Sequence, residues 1–176
     1  MMYSVEVGCD AEVLFLLGHI PGTCYIETHQ LEHAPLWNQV PDQALQKVLL
    51  DNGIRHDTTV LLYGRNDLAP VRAAHLMLYA GIEDVRLLNG GFEAWKTAVY
   101  VVVAGPAVWY PSVSDFGARF PGRPEYLIDM HQVKQLLQHK NGMLISIRTW
   151  LGLRAAVASF PRAIFHAPAV TAMSTA

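Results

Sequence analysis

Thiols are scarce in this chain, with Cys9 and Cys24 its only cysteines. Two are too few for a disulfide framework or an all-cysteine zinc site. A cationic excess is missing as well: 13 Lys and Arg stand against 15 Asp and Glu, a net charge of −2. No basic footprint for nucleic acid follows. Long hydrophobic runs are also absent. The longest, Val99 to Val108, is broken by Gly105 and Pro106 and falls well below membrane-spanning length, so no membrane partner is expected. The opening residues, Met1 to Glu6, lack the basic start of a secretory signal, and Glu6 and Asp10 come before any apolar run develops. A soluble chain is expected. The cytoplasm is its default compartment, or the periplasm if it is a fragment of an exported precursor. Finally, no Asp, Glu or Lys occurs from Leu151 to Ala176, where alanine, proline and other small residues dominate.

What is present is enough apolar material for a core. Hydrophobic residues make up 52% and charged residues 16% of the 176 positions. That length suits one domain, or one domain and part of another. Tyr3 to Val7 reads as a strand, and Gly18-His19-Ile20-Pro21-Gly22 as a turn into a second, Thr23 to Ile26. A helix is expected from Pro41-Asp42 to Asn52-Gly53, with Leu45, Val48 and Leu49 on one face. Thr59 to Tyr63 is a continuous apolar run, the pattern of a parallel strand buried on both faces. A loop from Gly64 to Ala69 leads to a helix starting near Pro70, carrying Val71, Ala74 and Leu78, and ending at Gly81. Val85 to Leu88 is the next strand, and Asn89-Gly90-Gly91 turns into a short helix over Phe92 to Trp95. Strands alternating with helices imply a parallel sheet, because parallel pairing requires crossovers.

Beyond Thr97 the composition turns apolar, then rich in Pro and Gly from Gly105 to Pro124, which reads as a linker. Asp129 can cap a helix through Gln138, with Val133, Leu136 and Leu137 inward, and Met143 to Ile147 then reads as a strand. The expected division is a domain over 1–104, a linker over 105–126, an incomplete second α/β unit over 127–150 and an atypical, disordered tail over 151–176.

Four features occur in the order and spacing of the rhodanese superfamily, and over about residues 3 to 104 the chain resembles it. They are the Gly18–Gly22 turn, the strand Val60-Leu61-Leu62-Tyr63, Arg72-Ala73-Ala74 opening a helix, and Asn89-Gly90-Gly91-Phe92-Glu93-Ala94-Trp95. Details such as Asn52 to Val60 look like a non-catalytic domain of a multidomain bacterial thiosulfate sulfurtransferase, and Asp129 to Trp150 looks like the start of the next domain. The resemblance implies an α/β fold, a rhodanese-like parallel sheet with helices on both faces. It also implies a family reaction: sulfane sulfur passes from thiosulfate to a thiophilic acceptor through a cysteine persulfide. That cysteine belongs in the loop after the strand ending at Tyr63, within backbone N–H groups at a helix start that lower its pKa and hold an anion.

Here the position is Gly64, so no persulfide can form on it, and the chain is expected to be inactive at this loop. The vestigial loop is Gly64, Arg65, Asn66, Asp67, Leu68 and Ala69. Pro70 removes one N–H from the cradle and Asp67 adds a negative charge, while Arg65 and Arg72 could still attract thiosulfate or another small anion weakly. Neither cysteine substitutes. Cys24 reads as a small buried apolar residue, and the neighbouring Asp10 would raise the pKa of Cys9.

No cofactor and no metal set is expected. The stretch His29-Gln30-Leu31-Glu32-His33 matches the H-x-x-E-H pattern of zinc peptidases, but that chemistry needs a helix, which Pro35 interrupts. An exposed polar loop is the preferred reading of this stretch, and zinc hydrolysis the distant alternative. A regulatory or partner-binding module is the nearer alternative, its partner another protein or a missing rhodanese domain. The family pattern stops after Ile147-Arg148-Thr149-Trp150, where a frameshift or truncation is expected.

Overall fold

A computed structural model describes residues 2–66, 68–138 and 145. The expected strand at Met143–Ile147, the tail over 151–176 and Asp67 lie outside the described residues, Ile145 excepted. Two compact units divide the chain, Met1–Ile128 and Asp129–Ala176.

Four parallel strands build the main sheet: β1 (Met2–Gly8), β2 (Thr23–Glu27), β5 (Thr59–Tyr63) and β6 (Asp84–Leu87), in the order β2-β1-β5-β6. Between them run the helices α1 (Glu12–Leu17), α2 (Asp42–Asp51) and α3 (Leu68–Ala80), and α4 (Gly91–Thr97) follows β6. A small antiparallel pair, β3 (Glu32–His33) and β4 (Asn38–Gln39), projects from the β2–α2 connection.

Period-two alternation along β5 sorts the layers. Val60 and Leu62 point into the larger core with Leu45 and Leu49 of α2 and Ala73, Leu76, Met77 and Ala80 of α3. Tyr63, of opposite parity, packs with Ile20 and with Phe92 of α4 in a second cluster. Helices therefore cover both faces, and the unbroken apolar run of β5 is the sequence trace of that double burial. Two expectations change here. The helix α3 begins at Leu68, ahead of Pro70. Ala74 is buried as expected, but the main buried stripe is Ala73, Leu76, Met77 and Ala80, leaving Val71 half exposed, because that i, i+3, i+4, i+7 set faces the strands. In α4 the buried aromatic is Phe92, while Trp95 is half-buried and donates from Nε1 to the Val101 carbonyl at 2.8 Å.

The Pro- and Gly-rich stretch behaves differently from a tether. Its residues up to Ile128 belong to the first unit and strap across it. The Val108 N–H donates to Thr23 O at 3.0 Å, Val113 N–H to Leu50 O at 3.0 Å, and Gly122 N–H to Ala80 O at 2.8 Å. Tyr110 stacks on Tyr3 at 3.9 Å between centroids and donates its hydroxyl to Gly22 O at 2.7 Å. Phe116 is fully buried in the main core. Composition hid this because four apolar side chains, Tyr110, Phe116, Phe120 and Leu127, are spaced among turn formers without a period. They still anchor the segment.

In the second unit, Asp129 caps α5 (Met130–Leu136), its Oδ1 accepting from the N–H groups of His131 and Gln132 at 2.7 and 2.8 Å. The expected inward face is uncovered: Leu136 and Leu137 are exposed and Val133 only half-buried.

Candidate functional site

The carboxyl edge of the sheet is where loops converge, and in open α/β folds ligands bind there. At the end of β5 the chain passes through Gly64 into the loop that leads to α3. Arg65 turns back into the domain. Its Nε donates to Glu6 Oε1 at 2.8 Å, and its Nη2 donates to the carbonyls of Gly18 and of Leu14, the latter at 3.0 Å. The guanidinium lies 4.3 Å from the centroid of the Phe92 ring. Glu6 sits in mid-β1, paired in register with Tyr63 and completely buried. A carboxylate there needs a cation, and Arg65 is held to supply it. On α3, Arg72 donates from Nε to Glu32, itself buried. Both arginines expected as free cations are thus each matched to a buried carboxylate.

One helix-start donor is also taken, and a second position has none to offer. Asn66 Oδ1 accepts from Ala69 N–H at 3.1 Å, which caps the first turn of α3, and Pro70 has no N–H to give. Beside the loop lies a cleft of about 300 Å³, bounded by Gly64, Pro70, Val71, Leu87, Leu88, Asn89, Gly90 and Gly91. No charged side chain among the described residues lines it.

Gly64 is enclosed on several sides. A Cβ built there would lie 2.9 Å from Pro70 Cδ, 2.9 Å from the Val7 carbonyl oxygen and 3.0 Å from the Asn66 carbonyl oxygen. Two of those neighbours are backbone and the third is a ring that cannot swing aside. Gly91 presses from the other side: its left-handed φ of +57° and the 2.5 Å that would separate its Cβ from Gly64 O both require glycine. Phe92 N–H then donates to Gly64 O at 3.1 Å. Backbone and the Pro70 ring fill the space beside the Gly64 Cα.

Neither thiol has a lowered pKa. Cys24, buried in β2, has its thiol pKa pushed up to about 12 by burial. Cys9 is exposed, and its pKa is raised by partial desolvation first, then by the Asp10 and Glu27 carboxylates. The histidine motif loses its required helix. His29 lies in a single 3-10 turn, Thr28–Gln30, while Glu32 and His33 form β3. Nor is the stretch an exposed loop, because Leu31 is buried in the core and Glu32 is tied to Arg72.

Sequence reasoning passed over two things. Glu6, the one charge inside an apolar strand, was a readable signal that a cation must meet it. The convergence of Cys9, Asp10 and His29, whose ligand atoms all lie within 4.8 Å of one another, depends on β1 and β2 being neighbours. That adjacency is not written in either segment.

A parallel sheet, a crossover helix at a glycine-started loop and the Gly90-Gly91 turn closing over it define a rhodanese-type domain. The chain belongs to that family: the Rhodanese-like domain family matches residues 7–98. Among curated proteins it is 45% identical over 146 residues to the thiosulfate sulfurtransferase YnjE of Escherichia coli K12, covering 83% of this chain and 34% of that one. It is 34% identical over 96 residues to the putative thiosulfate sulfurtransferase SseB of Mycobacterium tuberculosis H37Rv, covering 51% of this chain and 34% of the other. The crystal structure of YnjE superposes with a TM-score of 0.81 at 44% identity, over 85% of this chain and 36% of that one. The wild-type structure of EanB superposes at 0.76 and 32% identity, over 85% and 38%. This chain spans about a third of the length of the curated relatives it matches. No described helix is long and apolar enough to cross a membrane.

Proposed function

We propose that this chain is a non-catalytic rhodanese-like module of a thiosulfate sulfurtransferase-type protein, in which sulfur transfer runs through a cysteine outside the Gly64 loop. The observation that carries this reading is Gly64 itself. The position lacks sulfur, and its surroundings leave no room for a Cβ, let alone a thiol. Three further features support it. Arg65 and Arg72 are paired with buried carboxylates, Asn66 takes the Ala69 N–H while Pro70 has none, and Cys24 is held protonated. Together they leave a persulfide or thiosulfate little to bind. Asp129 to Trp150 is proposed as the opening of a following rhodanese-like unit, and the module's work as support of, or docking to, a sulfur-carrying domain.

The test is thiosulfate:cyanide sulfurtransferase activity of the purified full chain, with intact-mass analysis after thiosulfate treatment. Thiocyanate formation at the background rate and no mass gain of one sulfur atom are expected. Turnover that survives Cys9→Ser and Cys24→Ser together would mean the chain catalyses by another route. Turnover lost in either single variant would identify the nucleophile this reading denies.

A further inference from the structure

Outside the Gly64 loop, a second group of chemically active side chains stands at the same sheet edge. Cys9 and Asp10 follow the last residue of β1, and His29 lies in the turn that follows β2. Because Gly8 pairs with Glu27 across the two parallel strands, the residues beyond them emerge side by side. The Cys9 Sγ, an Asp10 carboxylate oxygen and a His29 ring nitrogen all lie within 4.8 Å of one another, with His29 Nε2 at 3.6 Å from Asp10 Oδ1. Zinc bonds of roughly 2.0–2.3 Å in tetrahedral geometry put ligand atoms about 3.3–3.8 Å apart. One pair already has that spacing, and a small side-chain rotation would bring in the third.

The scaffold under these side chains is fixed. Glu27 accepts the Asp10 N–H with both carboxylate oxygens, each at 3.1 Å. Glu27 is itself held by the Tyr25 hydroxyl at 2.7 Å and by Thr28 N–H at 2.9 Å. The Thr28 hydroxyl donates to Gly8 O at 2.6 Å, joining the two loops. Asp10 keeps a φ of 53°, a left-handed conformation uncommon for a residue with a Cβ. The Trp37 ring lies against the His29 ring at 5.2 Å. All three donor side chains are exposed, so an ion would retain at least one open position.

An exposed Asp10–His29 contact alone is worth little and gives no role to the thiol. A combined thiolate, imidazole and carboxylate set suits a borderline-soft divalent ion and disfavours magnesium or calcium, which take oxygen ligands. We propose that Cys9, Asp10 and His29 form a zinc-class metal site with three protein ligands and one open coordination position. Cys9 binds as thiolate, its proton passing to solvent. The Glu27 carboxylate, through the Asp10 backbone, is a positioning group.

The test uses the full chain, stripped with chelator and titrated with cobalt(II), then with zinc. One equivalent of cobalt is expected to give a thiolate-to-metal charge-transfer band and the visible bands of a four-coordinate ion, all displaced by zinc. Cys9→Ser and His29→Ala should each abolish the charge-transfer band or weaken zinc binding by at least about tenfold, and Glu27→Gln by about tenfold. Cys24→Ser and His33→Ala should leave both unchanged, with circular dichroism confirming that every variant folds. The proposal is overturned by a wild-type chain without the charge-transfer band, or by one-equivalent binding of undiminished affinity in Cys9→Ser. Binding lost in His33→Ala but kept in Cys9→Ser would overturn it too, and assign the metal to the histidine motif.

Discussion

The loop after β5 and the paired loops after β1 and β2 occupy the same carboxyl edge of one sheet, yet they are built oppositely. Gly64 is packed by the Val7 and Asn66 carbonyls and the Pro70 ring, and Arg65 folds inward onto Glu6. Across the edge, Gly8 and Glu27 end their strands and Cys9, Asp10 and His29 turn outward. Interior hydrogen bonds tie the first region down, though Glu6 Oε2 is left without a partner; the second spends its bonds on backbone and leaves its side-chain donors to solvent. The lesson is that one sheet edge can hold both a sealed loop and loops that present reactive groups, since each depends on local packing.

The sharpest way to break this contrast is to unplug the closed loop. Arg65→Met strands a fully buried Glu6 carboxylate, and removing one member of a buried pair costs about 3–5 kcal/mol. A loss of about 3 kcal/mol is expected from urea unfolding, at the low end because the Arg65 side chain is itself 21% exposed. Adding Glu6→Gln should recover part of it, since the stranded charge is then gone. Equal stability of wild type and Arg65→Met would show that the guanidinium is not what holds the loop shut.

A smaller effect is expected from placing a thiol in the closed loop. Gly64→Cys forces a Cβ to within 3.0 Å of two carbonyl oxygens and a proline ring, an overpacking cost of about 1–3 kcal/mol. The variant should melt lower than wild type and still fail to take up sulfur from thiosulfate. A stable variant carrying a persulfide on the introduced thiol would show that the loop opens readily and that only the sulfur is missing.

Much of the closed region was legible in the sequence and little of the open one. The apolar run Thr59–Tyr63, the Gly90-Gly91 pair and Gly64 at the strand end are local signals with local causes, so they could be read from one dimension. The capture of Arg65 by Glu6 spans 59 residues and depends on β1 lying beside β5. Pairing Cys9 and Asp10 with His29 likewise needs the β1–β2 register. Phe116 shows the same limit: an irregular segment has no period to announce that one of its side chains enters the core. The histidine motif erred the other way. Its spacing is local, but the backbone there forms a turn and a short strand, and Glu32 is drawn off by Arg72.

The smallest effect compares the two thiols, one at each end of the exposure range. Cys24 is 4% exposed, and burial pushes its pKa up to about 12 from an ordinary 9.0. Since the folded value exceeds the unfolded one, the stability gained by keeping this thiol neutral is complete below pH 9. It is lost as pH rises from 9 through about 12, because the unfolded chain gives up its proton first. The slope reaches about 1.4 kcal/mol per pH unit, so near pH 9.5 the loss is about 1 kcal/mol. Tyr25 and Tyr63, also raised by burial, enter only above about pH 10, which leaves the lower part of the window to the thiols. Urea unfolding of wild type and Cys24→Ala at about pH 8 and about pH 9.5 isolates this contribution: the wild type should lose more stability between them. Alkylation supplies the matching kinetic readout, with Cys9 modified in the folded chain and Cys24 only on unfolding. If both thiols react at similar rates in the native protein, Cys24 is not sealed in the core, and the division between a closed interior and an open edge fails at β2.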